Sequence, residues 1–433
     1  MRLSLYNTYL PIGEKYQAVY NAFTDKFLII KGRSSSIRDL SVEEIKTADR
    51  DTYDKMVQIG AIVETEKNEI EELTAAARRR MSDKTVWHLH INPTLDCNFN
   101  CWYCYENHVK GSRMSPEIIS AVHRLISSIV YQESKPAELL LAFFGGEPLL
   151  CFDTVVKPLI DGCMHLCDST GISPAFHFTT NGYLLSGRMI DYFKDKTVSF
   201  QITLDGDKKN HDQTRFPRNG GSSYETIVRN IFRLAENGHS IVLRINYTAS
   251  NAGSLKGIYD SLTKLSDSAR ERISVDLQRV WQDIPVNEDS LTDGIINDLR
   301  GQLSKSGFAV SHGLMDYVRY PCYGDMLTHT LINYNGDVFN CTARDFSPKN
   351  RAGFLTPEGK IIYENNSPEQ RMFLKLSKDV CRSCRIAPLC GGGCTQRCLE
   401  RAGENTCNMD YTEAEKDKEV LDRLETVLSN RMS

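Results

Sequence analysis

The stretch Thr94-Leu-Asp-Cys-Asn-Phe-Asn-Cys-Trp-Tyr-Cys-Tyr105 places three cysteines, Cys97, Cys101 and Cys104, within eight residues. Thiolates are soft ligands that favour iron–sulfur clusters, zinc or copper(I), so this group predicts a metal site. A closed structural site normally takes four protein ligands, whereas three leave a position open for a substrate or cofactor. His108 could complete the site only loosely, so we expect an open position. The alternatives are a zinc knuckle that uses His108 and three unrelated buried cysteines.

The C-x3-C-x2-C spacing, with the aromatic Tyr103 before its last cysteine, resembles the radical S-adenosylmethionine (SAM) enzymes. The resemblance implies that Cys97, Cys101 and Cys104 hold three irons of a [4Fe–4S] cluster, while the fourth iron binds the amino and carboxylate groups of SAM. One electron then cleaves SAM to methionine and a 5′-deoxyadenosyl radical, which removes a hydrogen atom from the substrate. A flavodoxin- or ferredoxin-type protein is the implied electron donor.

Length and composition describe an ordinary globular protein of several domains. The 433 residues exceed the size at which a single core keeps growing, and 41% hydrophobic with 25% charged residues is a common balance. A net charge of −4 gives no reason to expect nucleic acid or an anionic membrane as partner. The N-terminus has no apolar signal core and no stretch approaches a membrane span of about 20 residues, so we expect a cytoplasmic protein. Its 14 cysteines therefore predict metal ligands rather than disulfides.

Between residues 85 and 307 apolar runs alternate with amphipathic stretches, which predicts a parallel α/β sheet with crossover helices. Six such units fit the partial (β/α)6 TIM-type barrel that the radical SAM resemblance implies. The predicted strands are Val86–Asn92, Leu139–Phe144, Ala175–Thr179, Val198–Leu204, Ile241–Tyr247 and Ile273–Val280. The predicted helices are Pro116–Tyr131, Ser186–Lys194, Tyr224–Glu236, Ser254–Leu265 and Asp289–Lys305.

Ligands of α/β barrels lie at the carboxyl ends of the strands, so polar residues there are candidate contacts. Gly145-Gly146-Glu147-Pro148 matches the family's GGEP motif, whose glycines would let the backbone approach the SAM ammonium, with Glu147 as a nearby acceptor. An ordinary strand-ending turn is the alternative. The segment His211-Asp-Gln-Thr-Arg215 resembles the one whose Arg pairs with the SAM carboxylate in the family, so Arg215 is the candidate for this bidentate pair, and a surface salt bridge is its alternative. The predicted cofactor contacts are Tyr103, Gly145, Gly146, Glu147, Pro148, Thr180, Asn181, Thr203, Asp205, Arg215 and Asn246.

Eight further cysteines lie between residues 322 and 407, and their spacing resembles the SPASM extension of radical SAM enzymes. The resemblance implies two auxiliary [4Fe–4S] clusters. The nearer would be held by Cys322, Cys341 and Cys394, and the farther by Cys381, Cys384, Cys390 and Cys407. Cys398 either completes the nearer cluster or is a buried bystander; without it an open iron could bind a substrate thiolate, because Thr328 stands where some relatives have a ligand. Structural zinc is the alternative, and Cys151, Cys163 and Cys167 are assigned to the core.

The first eighty residues are unlike either iron–sulfur module. Tyr16–Phe23, Phe27–Ile30 and Ala61–Glu64 predict strands, and Val42–Lys46 and Arg50–Ile59 predict helices. This order resembles the small winged-helix unit with which peptide-modifying relatives hold the leader of a precursor, by adding a strand to a free sheet edge. A packing extension is the alternative. The expected domains are a winged-helix-like unit at 1–82, the barrel at 83–310 and a loop-rich iron–sulfur domain at 311–433.

Radical SAM enzymes with a SPASM extension mostly modify peptides or proteins. The resemblance therefore implies a maturase of a ribosomally made precursor peptide, which forms a thioether or carbon–carbon cross-link. The first alternative is an anaerobic sulfatase-maturating enzyme, which makes formylglycine; those enzymes begin close to the cysteine triad and carry an Asp where Thr342 follows Cys341 here. Asp345 is the nearest carboxylate and the candidate general base. An electron carrier or redox sensor without catalysis is the alternative of another class.

Overall fold

The computed structural model describes residues 1–31, 37–283, 290–311 and 318–432. The strands are β1 Arg2–Leu3, β2 Asn7–Ile12, β3 Tyr16–Asn21, β4 Lys26–Lys31, β5 Ile62–Val63, β6 Val86–Ile91, β7 Glu138–Phe143, β8 Ser173–Thr180, β9 Val198–Leu204, β10 Ser240–Tyr247, β11 Ile273–Arg279, β12 Ala309–Val310, β13 His329–Ile332, β14 Asp337–Phe339, β15 Gly353–Leu355 and β16 Ile361–Tyr363.

The helices follow the same chain order. They are α1 Val42–Ala48, α2 Arg50–Gln58, α3 Glu69–Met81, α4 Pro116–Val130, α5 Lys157–Cys167, α6 Gly187–Phe193, α7 Lys208–Thr214, α8 Tyr224–Glu236, α9 Lys256–Leu262, α10 Asp267–Arg270, α11 Ser290–Lys305, α12 Pro368–Leu374, α13 Asp379–Arg382, α14 Ala387–Cys390, α15 Thr395–Glu400 and α16 Glu413–Met432. Asp289, the predicted first residue of α11, lies outside the described residues.

The described chain forms two compact units. We call the described residues of Lys84–His312 and Thr328–Asn365 the barrel unit, and those of Met1–Asp83, Gly313–Leu327 and Asn366–Ser433 the terminal unit. This division differs from the expected domains 1–82, 83–310 and 311–433, because the last of these is shared between the two units. Residues 329–363 supply four strands to the barrel unit's sheet.

The barrel unit contains the parallel sheet that the sequence predicts. Strands β6 to β11 pair in chain order, each parallel to the next, and β12 adds a short seventh strand. Alternate residues of these strands are fully buried, among them Leu89, Leu141, Phe178 and Phe200, because crossover helices cover the sheet. All six predicted strands and the mixed α/β fold class are therefore confirmed.

The sheet also extends beyond β6 in a way that the sequence did not predict. Strand β13 pairs parallel to β6, with His329 opposite His88, and β14 to β16 then continue as an antiparallel meander. The turn between β13 and β14 contains Gly336 at φ +84°, a conformation that favours glycine. The barrel unit therefore carries Cys341, which lies two residues after the end of β14.

The terminal unit combines the N-terminal residues with the C-terminal ones. Strands β2, β3 and β4 form an antiparallel sheet, and β1 pairs with β5. Tyr6 and Leu10 share one buried cluster with Leu376, Ile386 and Val420, and three residues of α3 join it. Helix α3 therefore belongs to a core, although the charged run at 66–80 predicts a linker helix. The winged-helix assignment of the first eighty residues stays a prediction.

Among the described residues, no helix is both long enough and apolar enough to cross a membrane.

Candidate active site: a three-cysteine loop on the barrel

The cysteine loop leaves strand β6 and is shaped by its own polar side chains. The Thr94 hydroxyl donates to the Ser112 carbonyl at 2.6 Å and accepts from the Asp96 amide at 2.8 Å. The Asp96 carboxylate accepts from the amides of Cys97 and Gly111, both at 2.9 Å. These short-range bonds satisfy a backbone that runs outside any helix or strand. The loop is thus ordered by residues other than its cysteines.

The three cysteines differ in exposure along this loop. Cys97 is buried, Cys101 is half-buried and Cys104 is exposed. Burial raises the pKa of the Cys97 thiol to about 12. His108 Nε2 lies 3.7 Å from Cys104 Sγ, while its Nδ1 lies 3.3 Å from Arg218. Among the described residues, no group of three or more His, Cys, Asp or Glu side chains converges as a single metal ion requires.

The Gly145–Pro148 segment packs directly against the cysteine loop. The Gly146 amide donates to the Thr94 carbonyl at 3.2 Å, and the Glu147 amide donates to the Asp96 carbonyl at 2.8 Å. A Cβ on Gly146 would overlap the Asp96 carbonyl, and Gly145 has φ +97°. Glycine is therefore required at both positions, because the backbone of the cysteine loop lies too close to leave room for a Cβ. The sequence alone did not show this close approach.

The Glu147 carboxylate is fully buried and accepts hydrogen bonds from three groups of the same chain. Its Oε1 accepts from the Thr180 hydroxyl at 2.7 Å and from the Leu149 amide at 3.0 Å, and its Oε2 accepts from the Asn181 amide at 2.8 Å. Burial raises the pKa of this carboxyl despite these donors. Glu147 thus joins the tips of β7 and β8, and its predicted contact with SAM stays a prediction.

A polar network lies at the carboxyl ends of β9 and β10. The Tyr103 hydroxyl donates to Asp205 Oδ2 at 2.6 Å and accepts from Arg215 Nη1 at 2.6 Å and Asn246 Nδ2 at 3.1 Å. Burial raises the pKa of Asp205 to about 6. The sequence predicted all four residues as cofactor contacts, and the structure brings them together around Tyr103. Thr203 is also buried on β9, two residues before Asp205.

This network contains buried polar atoms that lack partners among the described residues, namely Asp205 Oδ1 and Arg215 Nε. An unmatched buried acceptor and an unmatched cationic donor each cost free energy, so such atoms mark a site that a polar ligand completes. A carboxylate fits the guanidinium and a hydroxyl or ammonium fits the carboxylate, which are groups that SAM carries. Three thiols beside such a network form a donor set that suits a cluster with an open iron.

Asp345 lies in the barrel unit on the loop that follows Cys341. Its Oδ2 accepts from Asn107 Nδ2 at 3.5 Å, and its Oδ1 accepts from the Ser347 hydroxyl and from Asn350 Nδ2. The Tyr105 hydroxyl also donates to the Thr342 carbonyl at 2.7 Å. The structure therefore places Asp345 beside the segment that follows Cys104, and its role as a base stays a prediction.

Sequence reasoning missed several residues that support this site. Asn98 Oδ1 accepts from Asn181 Nδ2 at 2.8 Å, which ties the cysteine loop to β8. His211 Nδ1 accepts from the Asp205 amide at 3.2 Å, and Trp281 stacks on Tyr105 at 5.7 Å. Asn98 lies inside the cysteine motif, so its position was a usable signal. His211 and Trp281 had no comparable signal because their contacts depend on the fold.

A second cysteine site lies wholly within the terminal unit. Cys381, Cys384, Cys390 and Cys407 line one pocket together with Ile386, Ala387 and Met409. Burial, together with the neighbouring thiols, raises the pKa of Cys390 to about 12, although the charge of Lys375 opposes the rise. The sequence predicted these four cysteines as one ligand set, and the structure brings them to one pocket.

The other C-terminal cysteines are divided between the units. Cys322 and Cys394 belong to the terminal unit and Cys341 to the barrel unit, so their joint ligand set stays a prediction. Cys398 is buried and acts electrostatically on Cys381. Cys151, Cys163 and Cys167 are buried in the barrel unit's core, as expected.

Comparisons with known proteins agree with this geometry. Residues 91–249 match the family model of the radical SAM superfamily. The radical SAM cyclopropyl synthase TigE of Paramaledivibacter caminithermalis is 25% identical over 228 residues, which are 48% of this chain and 45% of TigE. The cysteine-type anaerobic sulfatase-maturating enzyme of Clostridium novyi is 28% identical over 138 residues, 31% of this chain and 37% of that enzyme. The matched region thus spans less than half of each relative's length.

Solved structures share the fold at low identity. The structure of anSMEcpe with bound AdoMet and the Cp18Cys peptide superposes with a TM-score of 0.59 at 16% identity, covering 80% of this chain and 98% of that one. Streptococcus suis SuiB bound to its precursor peptide SuiA gives a TM-score of 0.51 at 16% identity, covering 93% and 97%. Residues 91–249 of this chain thus match the radical SAM superfamily model, and the fold that contains them is shared with these solved structures.

Proposed function

We propose that this protein is a radical SAM maturase that oxidatively modifies a ribosomally made peptide. The observation that carries the proposal is the three-cysteine loop beside a buried network in which Asp205 Oδ1 and Arg215 Nε lack partners among the described residues. The likeness to SuiB with its precursor peptide and to anSMEcpe with a bound peptide supports a peptide substrate. Neither likeness identifies the bond that is formed.

Different residues of the barrel unit would bind the cluster and SAM. Cys97, Cys101 and Cys104 would hold the cluster, and Arg215 would bind a carboxylate through its guanidinium. When bound, the cluster and SAM would supply a 5′-deoxyadenosyl radical that removes a hydrogen atom from the substrate. Tyr103 orients Asp205 and Arg215 through its two 2.6 Å hydrogen bonds, which pre-organises the site before SAM arrives.

The terminal unit would hold an auxiliary [4Fe–4S] cluster on Cys381, Cys384, Cys390 and Cys407. Four thiols leave no open iron, so this cluster would serve to move electrons rather than to bind substrate. A second auxiliary cluster on Cys322, Cys341 and Cys394 stays part of the proposal. A flavodoxin- or ferredoxin-type protein would deliver the first electron, and Asp345 stays our candidate for the base that accepts the substrate proton.

The terminal unit also offers a groove for the precursor's leader. Among the described residues β4 pairs only with β3, so its other edge is available for an added strand. A pocket of about 420 Å³ lies along this strand and is lined by residues of both β4 and α2, including Ile29, Ile30, Thr52 and Lys55. Extended backbone would pair with the strand while apolar side chains fill the pocket.

The experiment is anaerobic co-expression with any short Cys-, Gly- or aromatic-rich reading frame that genome inspection finds beside this gene, followed by mass spectrometry of the peptide. The expected product lacks two hydrogen atoms, as a cross-link requires, and forms together with 5′-deoxyadenosine. An unmodified peptide in the presence of active SAM cleavage would overturn the maturase assignment. Ile30→Asp should weaken binding of the full-length precursor, whereas Ile362→Asp, on the exposed strand β16 of the other unit, should not.

A cysteine-type sulfatase-maturating activity is the second candidate. It is favoured by the 28% identity to the Clostridium novyi enzyme over 138 residues. Thr342 follows Cys341 where the resemblance predicts a catalytic Asp, and Asp345 is the nearest carboxylate along the chain. A synthetic sulfatase peptide with a target cysteine distinguishes the candidates, because its conversion to formylglycine replaces a thiol by an aldehyde.

A further inference from the structure

The terminal unit buries a cluster of one carboxylate and two basic side chains, and the charge of one of them, Lys375, also acts on Cys390 of the four-thiol pocket. Arg371 Nη2 lies 3.3 Å from Asp325 Oδ1, and Lys375 Nζ lies 3.0 Å from Asp325 Oδ2. The side chains of Asp325, Arg371 and Lys375 are 1%, 3% and 6% exposed. One carboxylate thus faces two cations, and the cluster carries a net positive charge in the interior.

The same three residues join two cysteine-bearing loops. Arg371 Nε donates to the Gly324 carbonyl at 2.7 Å, and the Asp325 amide donates to the Cys322 carbonyl at 3.0 Å. Lys375 Nζ donates to the Gly393 carbonyl at 2.5 Å. Gly393 immediately precedes Cys394. The ion cluster is therefore bonded to the backbone on both the Cys322 side and the Cys394 side.

An uncompensated buried charge is costly unless an opposite charge lies nearby. Thiolate-ligated iron–sulfur clusters are anionic, and their potentials depend on net charge, hydrogen bonds to sulfur and exposure. A cluster near Cys322 and Cys394 would offset the excess charge of Asp325, Arg371 and Lys375. In return, the positive charge would favour the reduced and more negative form of that cluster.

We propose that Asp325, Arg371 and Lys375 are positioning residues that fix the Cys322 and Cys394 loops and raise the reduction potential of the auxiliary cluster held there. This inference rests on the proposed function, because it takes Cys322 and Cys394 as cluster ligands. Its chemical consequence is direct: a higher potential makes the cluster a better acceptor of the electron that the modified substrate must lose.

The test is a potentiometric EPR titration of the full chain in the Cys97→Ala, Cys101→Ala, Cys104→Ala background, where only auxiliary clusters report. Lys375→Met removes one cation and should lower the potential of the auxiliary cluster that remains when Cys384→Ala also opens the four-thiol pocket. A tenfold shift of its oxidised-to-reduced ratio, about 59 mV for one electron, is the expected size. Lys375→Arg keeps the charge and should restore the potential. Lys418→Met, at an exposed position of α16, controls for net charge and should change nothing.

Asp325→Asn is a second variant, in which the reduction potential should change in the opposite direction. It removes the anion and should raise the potential, so a role in folding alone cannot produce both results. Two outcomes would overturn the inference in variants that still contain their auxiliary clusters. One is an unchanged reduction potential in Lys375→Met, and the other is a drop in Lys375→Arg as large as that in Lys375→Met. Iron analysis separates this failure from that of the proposed function: a background protein without about eight auxiliary irons would lack the clusters themselves.

Discussion

The two cysteine sites of this protein differ in ligand number and in the polarity of what surrounds them. The loop of Cys97, Cys101 and Cys104 offers three thiols beside the buried network around Tyr103. The pocket of Cys381, Cys384, Cys390 and Cys407 offers four thiols among apolar residues. Three thiols beside unmatched polar atoms suit a metal that binds a further ligand, whereas four thiols in an apolar pocket suit one that exchanges only electrons. On the proposed function, this contrast would separate radical chemistry from electron transfer within one chain.

The largest expected effect comes from removing the three-thiol site. Replacing Cys97, Cys101 and Cys104 by Ala should abolish reductive SAM cleavage, because no thiolate would remain to hold the SAM-binding cluster. Chromatography of 5′-deoxyadenosine measures the loss. Iron analysis should still give about eight of about 12 irons, since the auxiliary sites remain. Continued 5′-deoxyadenosine formation would show that the comparison assigns the chemistry to the wrong site.

Opening the four-thiol pocket should have a different result. Cys384→Ala should lower the iron content by up to about four and decrease the free energy of unfolding of the terminal unit, because metal binding contributes to folding. SAM cleavage should continue while peptide product is lost. The matched control is Cys163→Ala, a buried thiol in the barrel unit outside both sites, which should keep its iron. Equal iron in both variants would remove the assignment of the pocket.

The contact between Gly146 and the cysteine loop sharpens the comparison further. Gly146→Ala should prevent loading of the SAM-binding cluster, because its Cβ would overlap the Asp96 carbonyl. Electron paramagnetic resonance of the reduced protein with SAM measures the loss. Gly301→Ala in α11 is the control, since a Cβ there meets open space. It should keep the cluster and stabilise the helix by about 1 kcal/mol.

The sequence predicted the parts of the fold that short-range patterns determine. The six parallel strands followed from apolar runs of five to eight residues. In the polar network, Tyr103 and Arg215 were indicated by the resemblance to radical SAM enzymes, and Asp205 and Asn246 by the rule that ligands lie at the strand ends. What it could not predict depends on long-range pairing. Strand β13 joins β6 across more than two hundred residues, and the core shared by Tyr6 and Val420 joins both ends of the chain. No local pattern encodes either contact.

The role of the Gly145–Pro148 segment shows the same limit at the site. The motif indicated a ligand contact, and the structure shows that Gly146 and Glu147 bond to the cysteine loop's own backbone. The spacing of the motif identified the region but did not show which backbone approaches it. Likewise, the C-terminal cysteine spacing grouped Cys381, Cys384, Cys390 and Cys407, which line one pocket, but the division of Cys322, Cys341 and Cys394 between two units was not visible in the sequence.

The smallest expected effect concerns pH and distinguishes the two units. All ten histidines and all three tryptophans fall within the sequence ranges of the barrel unit. Burial lowers the pKa of His88 and of His177 to about 4, whereas an unfolded histidine titrates near 6.5. Between these values the unfolded chain binds protons that the native barrel does not, so the free energy of unfolding falls as the pH falls from about 6.5 to about 4.

Because both side chains are partly accessible, we expect a loss on the order of 1 kcal/mol for each histidine across this range. Urea unfolding followed by tryptophan fluorescence reports the barrel unit and measures it. His177→Gln should reduce the pH dependence, since the remaining carboxylates titrate equally in both proteins, whereas His165→Gln, at an exposed position of α5, should leave it unchanged. Parallel curves for His177→Gln and the wild type would mean that His177 accepts a proton as readily in the folded barrel as in water. The loss of stability at low pH would then have to come from carboxylates. Because both units contain carboxylates, the pH dependence of unfolding would no longer distinguish the barrel unit from the terminal unit.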